Sequence, residues 1–206
     1  MAERHVSHTT RRRFKRSPVD ENLTAQRDRR YVEAILLDVA QRGDNALIEY
    51  TARPRPFDNV KLGPSELRVS RSEFTQAWRQ VGREVVEAMR HAVRNLERVH
   101  RAQLGRMRLD LDVEPGVRYS RVWRPVEAVG VLAPGGLAPY PSSLLMACVP
   151  ARVAGVTQIV VCTPPGPGGA VTPELLVAAD LMGVERVYRC NMVAAVGALA
   201  FGTRRI

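Results

Sequence analysis

The stretch Trp123–Pro165, WRPVEAVGVLAPGGLAPYPSSLLMACVPARVAGVTQIVVCTPP, decides the fold. An apolar run through Val126, Val129 and Val131 leads into Ala133-Pro134-Gly135-Gly136. A helical segment near 142–154 follows, with Ser142 or Ser143 as its expected cap and Pro150 expected to kink it or end it early. A second apolar run, Gln158–Cys162, closes the stretch in a proline-rich loop. Strand, glycine-bearing loop, helix and strand in that order make a β-α-β unit.

The units repeat toward the carboxyl terminus. Strand 158–162 leads through TPPGPGG to a helix capped by Thr172, with Pro173 in its first turn and Gly183 just past its end. Strand 186–190 leads through Asn191-Met192 to an Ala-rich helix ending near Gly202. Three such units in succession predict a parallel sheet with right-handed crossovers. The loops 133–141, 163–171 and 190–193 then share one sheet edge, toward which the following helices aim their amino ends. Backbone N–H groups and helix dipoles at such an edge favour an anion. Gly135 and Gly136 would let a ligand approach the backbone closely. No G-x-G-x-x-G fingerprint accompanies them, and Pro-Gly-Gly also makes plain turns.

Upstream, the periodicity is helical. Val32, Ile35, Leu36 and Val39 recur at i, i+3, i+4 and i+7 and predict a helix from Asp28 that ends at Gly43. Asp44 is expected to cap a second helix, stopped by Pro54 and Pro56. The triplet Arg42-Gly43-Asp44 is thus the end of one helix and the start of the next. Ser70 and Glu73 form a capping box for a helix carrying Phe74, Ala77, Trp78 and Val81. Beyond Gly82 a longer helix is expected to bury Val85, Met89, Val93, Leu96 and Val99. The alternation Val117, Tyr119, Arg121, Trp123 predicts a strand, a bend at Pro125 and a second strand. The expected organisation is a basic arm over 1–27, a helical region with short strands over 28–122, and an α/β part over 123–206. The boundary between the last two lies near 105–125.

The 206 residues carry 31 Lys and Arg against 21 Asp and Glu, a formal charge of +10. Part of that excess sits in Arg11, Arg12, Arg13, Lys15 and Arg16. Such a cluster could meet phosphates of a nucleic acid or belong to a transit segment. The better reading is a solvated arm, since no aromatic-and-basic interleaving follows the cluster, and a nucleic-acid partner is not expected. No apolar run is long enough for a transmembrane helix, so no membrane partner is expected.

Cys148, Cys162 and Cys190 form no CxxC pair and read as buried small hydrophobes in a reducing, cytoplasmic setting. His91 and His100, nine positions apart on one helix, point to nearly opposite faces and cannot share a metal. The α/β part holds no histidine and few acids: Glu127, Glu174, Asp180 and Glu185. From these residues no catalytic set and no metal-ligand set can be assembled.

The segment RPVEAVGVLAPGGLAPYPSSLLMACVPARVAGVTQIVVCTPP, with QRGDNALIEYTARPRPFD, NLERVHRAQL, the EPGV turn and ALAFGT, resembles the histidinol dehydrogenase family in the same order from Arg13 to Thr203. That resemblance implies an α/β fold in which a helical amino-terminal region precedes an incomplete Rossmann-like β-α-β-α-β-α parallel sheet. It implies a zinc- and NAD-dependent enzyme of histidine biosynthesis that oxidises the small molecule L-histidinol to L-histidine, with a Glu-His pair as acid and base. The zinc ligands, substrate residues and Glu-His pair belong to the part of the family that follows ALAFGT, so no residue here inherits a catalytic or metal role.

Pro134, Gly135 and Gly136 match the family's cofactor loop. Leu132 stands where the family has tyrosine. Asn191-Met192-Val193-Ala194 stands where it has Gly-Gly-Ala-Gln, which puts Ala194 at the position of a cofactor-touching glutamine. The expectation is a chain inactive on its own that binds cofactor poorly. It would be soluble as a homo-oligomer or with a complementing carboxyl-terminal half, because a short sheet leaves edges unpaired. The alternative is a degenerate paralogue acting as a non-catalytic interaction or regulatory protein.

Overall fold

A computed structural model describes residues 18–53, 58–106, 109–136 and 140–206. The arginine-rich cluster 11–16 lies outside the described residues. By backbone contacts the chain divides into residues 1–34 and 35–206. Helix α1, Pro18–Arg42, begins ten residues earlier than the apolar periodicity predicts, with Pro18 as its first residue. Proline suits a helix start because its missing N–H would have no partner there anyway. Within the first unit, Arg29 pairs with Glu33 one turn on at 2.9 Å.

The second unit is built on a parallel sheet of β3 (Ala128–Leu132), β4 (Gln158–Thr163) and β5 (Arg186–Arg189), in that spatial order. Val129 is in register with Ile159, and Val161 with Val187. Helices α5 (Pro141–Ala154), α6 (Pro173–Leu181) and α7 (Met192–Phe201) follow the three strands, as the repeated pattern predicts. Because strand side chains alternate between faces, a sheet covered on both sides needs apolar residues at every position. Val131, Val161 and Val187 face one layer, with α3 (Arg71–Gln80), α4 (Arg83–Gly105), α5 and α6. Val160, Cys162 and Tyr188 face the other, with α7, α2 (Asp44–Ala52) and Ile35 and Val39 from the end of α1. Helices from before residue 106 therefore share cores with the sheet that follows it.

Several local expectations are corrected. The cap of α2 is Gly43, at φ 57°, and Asp44 is the first helical residue. Its carboxylate instead accepts a 2.6 Å hydrogen bond from Thr203 Oγ1. Tyr140 takes the cap position of α5, with Pro141 next; neither Ser142 nor Ser143 caps it, because the helix has already begun. That helix continues through Pro150 to Ala154. Met146, four residues before Pro150, is exposed, so the carbonyl left without a donor lies on the helix's open side. In α4, Met89 is buried and Val93 and Leu96 pack against the core as expected, but Val85 and Val99 are exposed and Val86 is buried where Val85 was expected. The capping box Ser70–Glu73 is as expected, and Thr172 takes the expected cap position of α6 without a side-chain cap bond.

The alternating segment is a hairpin. β1 (Leu109–Glu114) pairs antiparallel with β2 (Val117–Arg121) across Pro115-Gly116, with Gly116 at φ 84°. The sequence pattern marked the second strand but not the first. One hairpin face carries Leu109, Leu111 and Tyr119, all exposed.

The edges of the parallel sheet differ. β5 is not bare: Val69 N–H donates to Val187 O at 2.9 Å and Arg189 N–H to Leu67 O at 2.8 Å, so segment 67–69 covers it antiparallel. The outer edge of β3 carries no further strand among the described residues. No helix among the described residues is long and apolar enough to cross a membrane.

Candidate functional site

The three loops do meet at the carboxyl ends of the strands. Beyond the strands proper, Ala133 N–H still donates to Cys162 O and Cys190 N–H to Thr163 O, each at 2.9 Å. These bonds hold the first residues of all three loops in register. Tyr140 N–H donates to Pro134 O at 3.2 Å and closes the loop bearing Gly135 and Gly136.

Gly135 is explained by the loop beside it and Gly136 by its left-handed backbone. A Cβ on Gly135 would fall 2.1 Å from Thr163 Oγ1 and 2.9 Å from Pro164 O. Gly136, at φ 70°, would place one 3.5 Å from Pro165 O. The space that lack of a side chain opens at Gly135 is filled by the protein itself, so this close approach is of loop to loop. Thr163 is fully buried, and its hydroxyl has no partner among the described residues.

The amino end of α7 is closed by its own cap. Asn191 is 8% exposed, and its Oδ1 accepts from Val193 N–H at 3.1 Å and Ala194 N–H at 3.3 Å. Its backbone N–H donates to Thr51 Oγ1 at 3.0 Å. Asn191 also bonds the Asp58 carboxyl, which burial pushes above the ordinary carboxylate range despite that bond. Ala194 is fully buried in the core. Two of the α7 N–H groups that could greet an anion, those of Val193 and Ala194, are thus already satisfied by a side chain.

Sequence reading did not single out Asp58, Thr51 or the cap role of Asn191. An Asn directly before an apolar helix is a cap signal, and it was there to be used. Thr51 and Asp58 carry no local signal, because their partner lies over 130 positions away.

Arg189 ties this edge to α3. Its Nη1 donates to Gly169 O at 2.8 Å and its Nη2 to Glu73 Oε1 at 2.5 Å, with the side chain nearly buried. Glu73 in turn accepts from Ser70 N–H at 2.8 Å. One carboxylate therefore caps a helix and neutralises a buried guanidinium that steadies loop 167–169.

Among the described residues, the cysteines and histidines are occupied otherwise than in catalysis or metal binding. Burial pushes the Cys148 thiol up to about 11 against the opposing Arg152 charge. The Cys162 side chain and complete burial push Cys190 well above the ordinary thiol value. Neither is a ready thiolate at neutral pH. His91 bonds Asn95 and His100 bonds Gln103, each on its own helix. Among the described residues no group of three or more His, Cys, Asp and Glu is placed to hold a metal. These residues therefore do not fit a zinc ion. The closed amino end of α7 does not fit a dinucleotide phosphate either, and no chemical step through either group follows.

A parallel sheet covered by helices on both faces, with its loops gathered at the strands' carboxyl ends, defines an open α/β protein. A family model for histidinol dehydrogenase matches residues 19–206, and the chain belongs to that family. It is 46% identical over 172 residues to histidinol dehydrogenase of Gluconobacter oxydans (strain 621H), covering 84% of this chain and 39% of that relative. The histidinol dehydrogenase of Methanosarcina mazei is 43% identical over 175 residues, covering 85% and 39%. The crystal structure of histidinol dehydrogenase from Elizabethkingia anophelis superposes with a TM-score of 0.79 at 35% identity, over 86% of this chain and 40% of that one. The chain thus spans about two fifths of the length of the relatives it matches.

Proposed function

We propose that residues 1–206 supply the amino-terminal α/β framework of a histidinol dehydrogenase fold and do not by themselves oxidise histidinol with NAD. The observation that carries this reading is the Asn191 side chain, which occupies the amino end of α7. The lack of a metal-holding group among the described residues supports it. Pro134, Gly135 and Gly136 remain the cofactor-loop residues of the proposal, with Leu132 and Ala194 as the departures that weaken it. Three free, buried cysteines suit a reducing compartment, and cytoplasm is the proposed location.

Incubated with histidinol, NAD and zinc, the purified chain is expected to produce no NADH absorbance above a protein-free blank. Histidinol-dependent turnover would overturn the reading. Asn191→Gly tests the closed helix end directly. It frees two N–H donors while costing a few tenths of a kcal/mol as a cap change. NADH affinity, followed by fluorescence, should rise at least about threefold over the parent, in line with an anion gaining helix N–H donors. An unchanged affinity would show that Asn191 is not what closes the site.

The open edge of β3 and the exposed apolar hairpin support assembly, either as a homo-oligomer or with a complementing carboxyl-terminal half. Sedimentation of the isolated chain is expected to show species larger than a monomer. A monodisperse monomer with a cooperative melt would count against that part of the proposal.

A further inference from the structure

At the opposite end of β5, Glu185 immediately precedes the strand, and Ser70 and Arg71 open α3 beside it. There a cleft of about 620 Å³ is lined by Ser65, Arg68, Ser70, Arg71, Glu185 and Arg205, with Val69 and Phe74 at its floor. We propose that this cleft binds the phosphate group of a small organic phosphate monoester.

Three arginines line this one cleft from three separate parts of the chain. Each is carried on backbone that is already tied down. Arg68 sits in the antiparallel bridge to Tyr188. Arg205 O accepts from the Tyr188 hydroxyl at 2.6 Å, and Arg205 N–H donates to Thr203 Oγ1 at 3.3 Å. Arg71 is held by Asp180 at 2.7 Å, and Asp180 is fixed in turn by the Trp78 indole N–H at 2.7 Å. Little backbone ordering is therefore left for a ligand to impose, which favours binding.

Arg68 and Arg205 have no ion pair among the described residues, so their charge is available. Arg71 is already neutralised by Asp180, and Glu185 is a carboxylate on the rim; the net field is set by Arg68 and Arg205 against Glu185. Two forked guanidinium groups with the Ser65 hydroxyl offer more donors than one carboxylate can accept; the Ser70 hydroxyl is already spent on Glu73. They suit the three terminal oxygens of a phosphate. Val69 and Phe74, both nearly buried, give the ester's organic part an apolar floor.

Phenyl phosphate is the probe, titrated calorimetrically into the full chain at low salt. Arg68→Ala/Arg205→Ala should weaken binding at least about tenfold, as expected for losing charge-assisted hydrogen bonds. Arg94→Ala/Arg98→Ala removes the same charge from exposed positions on α4 and should change affinity less than about twofold. Glu185→Gln should tighten binding about threefold, an effect that a folding defect cannot imitate. Affinity should rise from pH 5 to pH 7, as the monoester takes its second charge near pH 6 while the arginines stay protonated. Equal losses in the two double variants would reduce the effect to net charge and overturn the proposal. No detectable heat with the parent chain, or weaker binding by Glu185→Gln, would do the same.

Discussion

Gly135→Ala is expected to destabilise the chain by about 3 kcal/mol, the upper part of the range for overpacking a tight site. For a chain of this size that corresponds to a fall in Tm of about 10 °C, measured by calorimetry or far-ultraviolet circular dichroism. The new methyl would meet Thr163 Oγ1 at 2.1 Å and Pro164 O at 2.9 Å. Neither atom is the end of a flexible side chain. Thr163 is buried at the end of β4, and the Pro164 carbonyl is backbone. Adding Thr163→Ala should recover part of the loss, because it removes the nearer atom and also a buried hydroxyl without a partner. The carbonyl stays, so recovery should be incomplete. A Gly135→Ala chain that melts with the parent would mean that the loops part easily and that the glycine is there for something else.

Glu73→Ala should cost about 2 to 4 kcal/mol, below the full range for breaking a buried pair because Glu73 is one-third exposed. It leaves the Arg189 guanidinium enclosed without its counter-charge and removes the bond to Ser70 N–H. Glu73→Gln should fall between the alanine variant and the parent, since an amide oxygen can still accept one bond. The pair also sets a pH dependence. Burial alone would raise the Glu73 pKa. The Ser70 backbone N–H, Arg189 and the Ser70 hydroxyl outweigh it and hold the carboxyl below its ordinary 4.5. A folded-state pKa below the unfolded one adds stability that is complete above about pH 4.5, the unfolded value, and is lost as pH falls through the folded pKa. The parent's Tm should therefore decline on acidification below that point more steeply than that of Glu73→Gln. Parallel curves for the two chains would show that the carboxyl titrates alike in both states.

The β-α repeats were legible because each rests on neighbours in sequence. Strand 158–163 is apolar or β-branched from Ile159 on, and strand 186–189 carries Val187 and Tyr188 between two arginines, one for each face of a sheet covered on both sides. Thr172-Pro173 and Gly183 mark the two ends of α6 from within one short window. Helix phase was less legible. In α4 both Val85 and Val86 are apolar, so periodicity could not say which one faces the core, and α3, α5 and α6 decided for Val86. The hairpin was half read for a related reason. The alternation of Val117, Tyr119 and Arg121 predicts a strand but not its partner, although Leu109, Leu111 and Val113 alternate in the same way across the Pro115-Gly116 turn.

The candidate site divides along the same line. By itself, the sequence determined the family, the order of the β-α units, and which loops would stand at the strands' carboxyl ends. Local propensity, caps and right-handed crossovers are enough for that. Only the tertiary structure decided what those loops are occupied with. Gly135 reads alike whether a ligand or a neighbouring loop fills its empty side, and Thr163 fills it. Asn191 carries a cap signal from its place before α7, but its bonds to Thr51 and Asp58 exist only in the fold. The covering of β5 by segment 67–69 and the pairing of Arg189 with Glu73 join positions more than a hundred residues apart. Such contacts depend on how packed layers bring distant backbone together, and no window along the chain contains both partners.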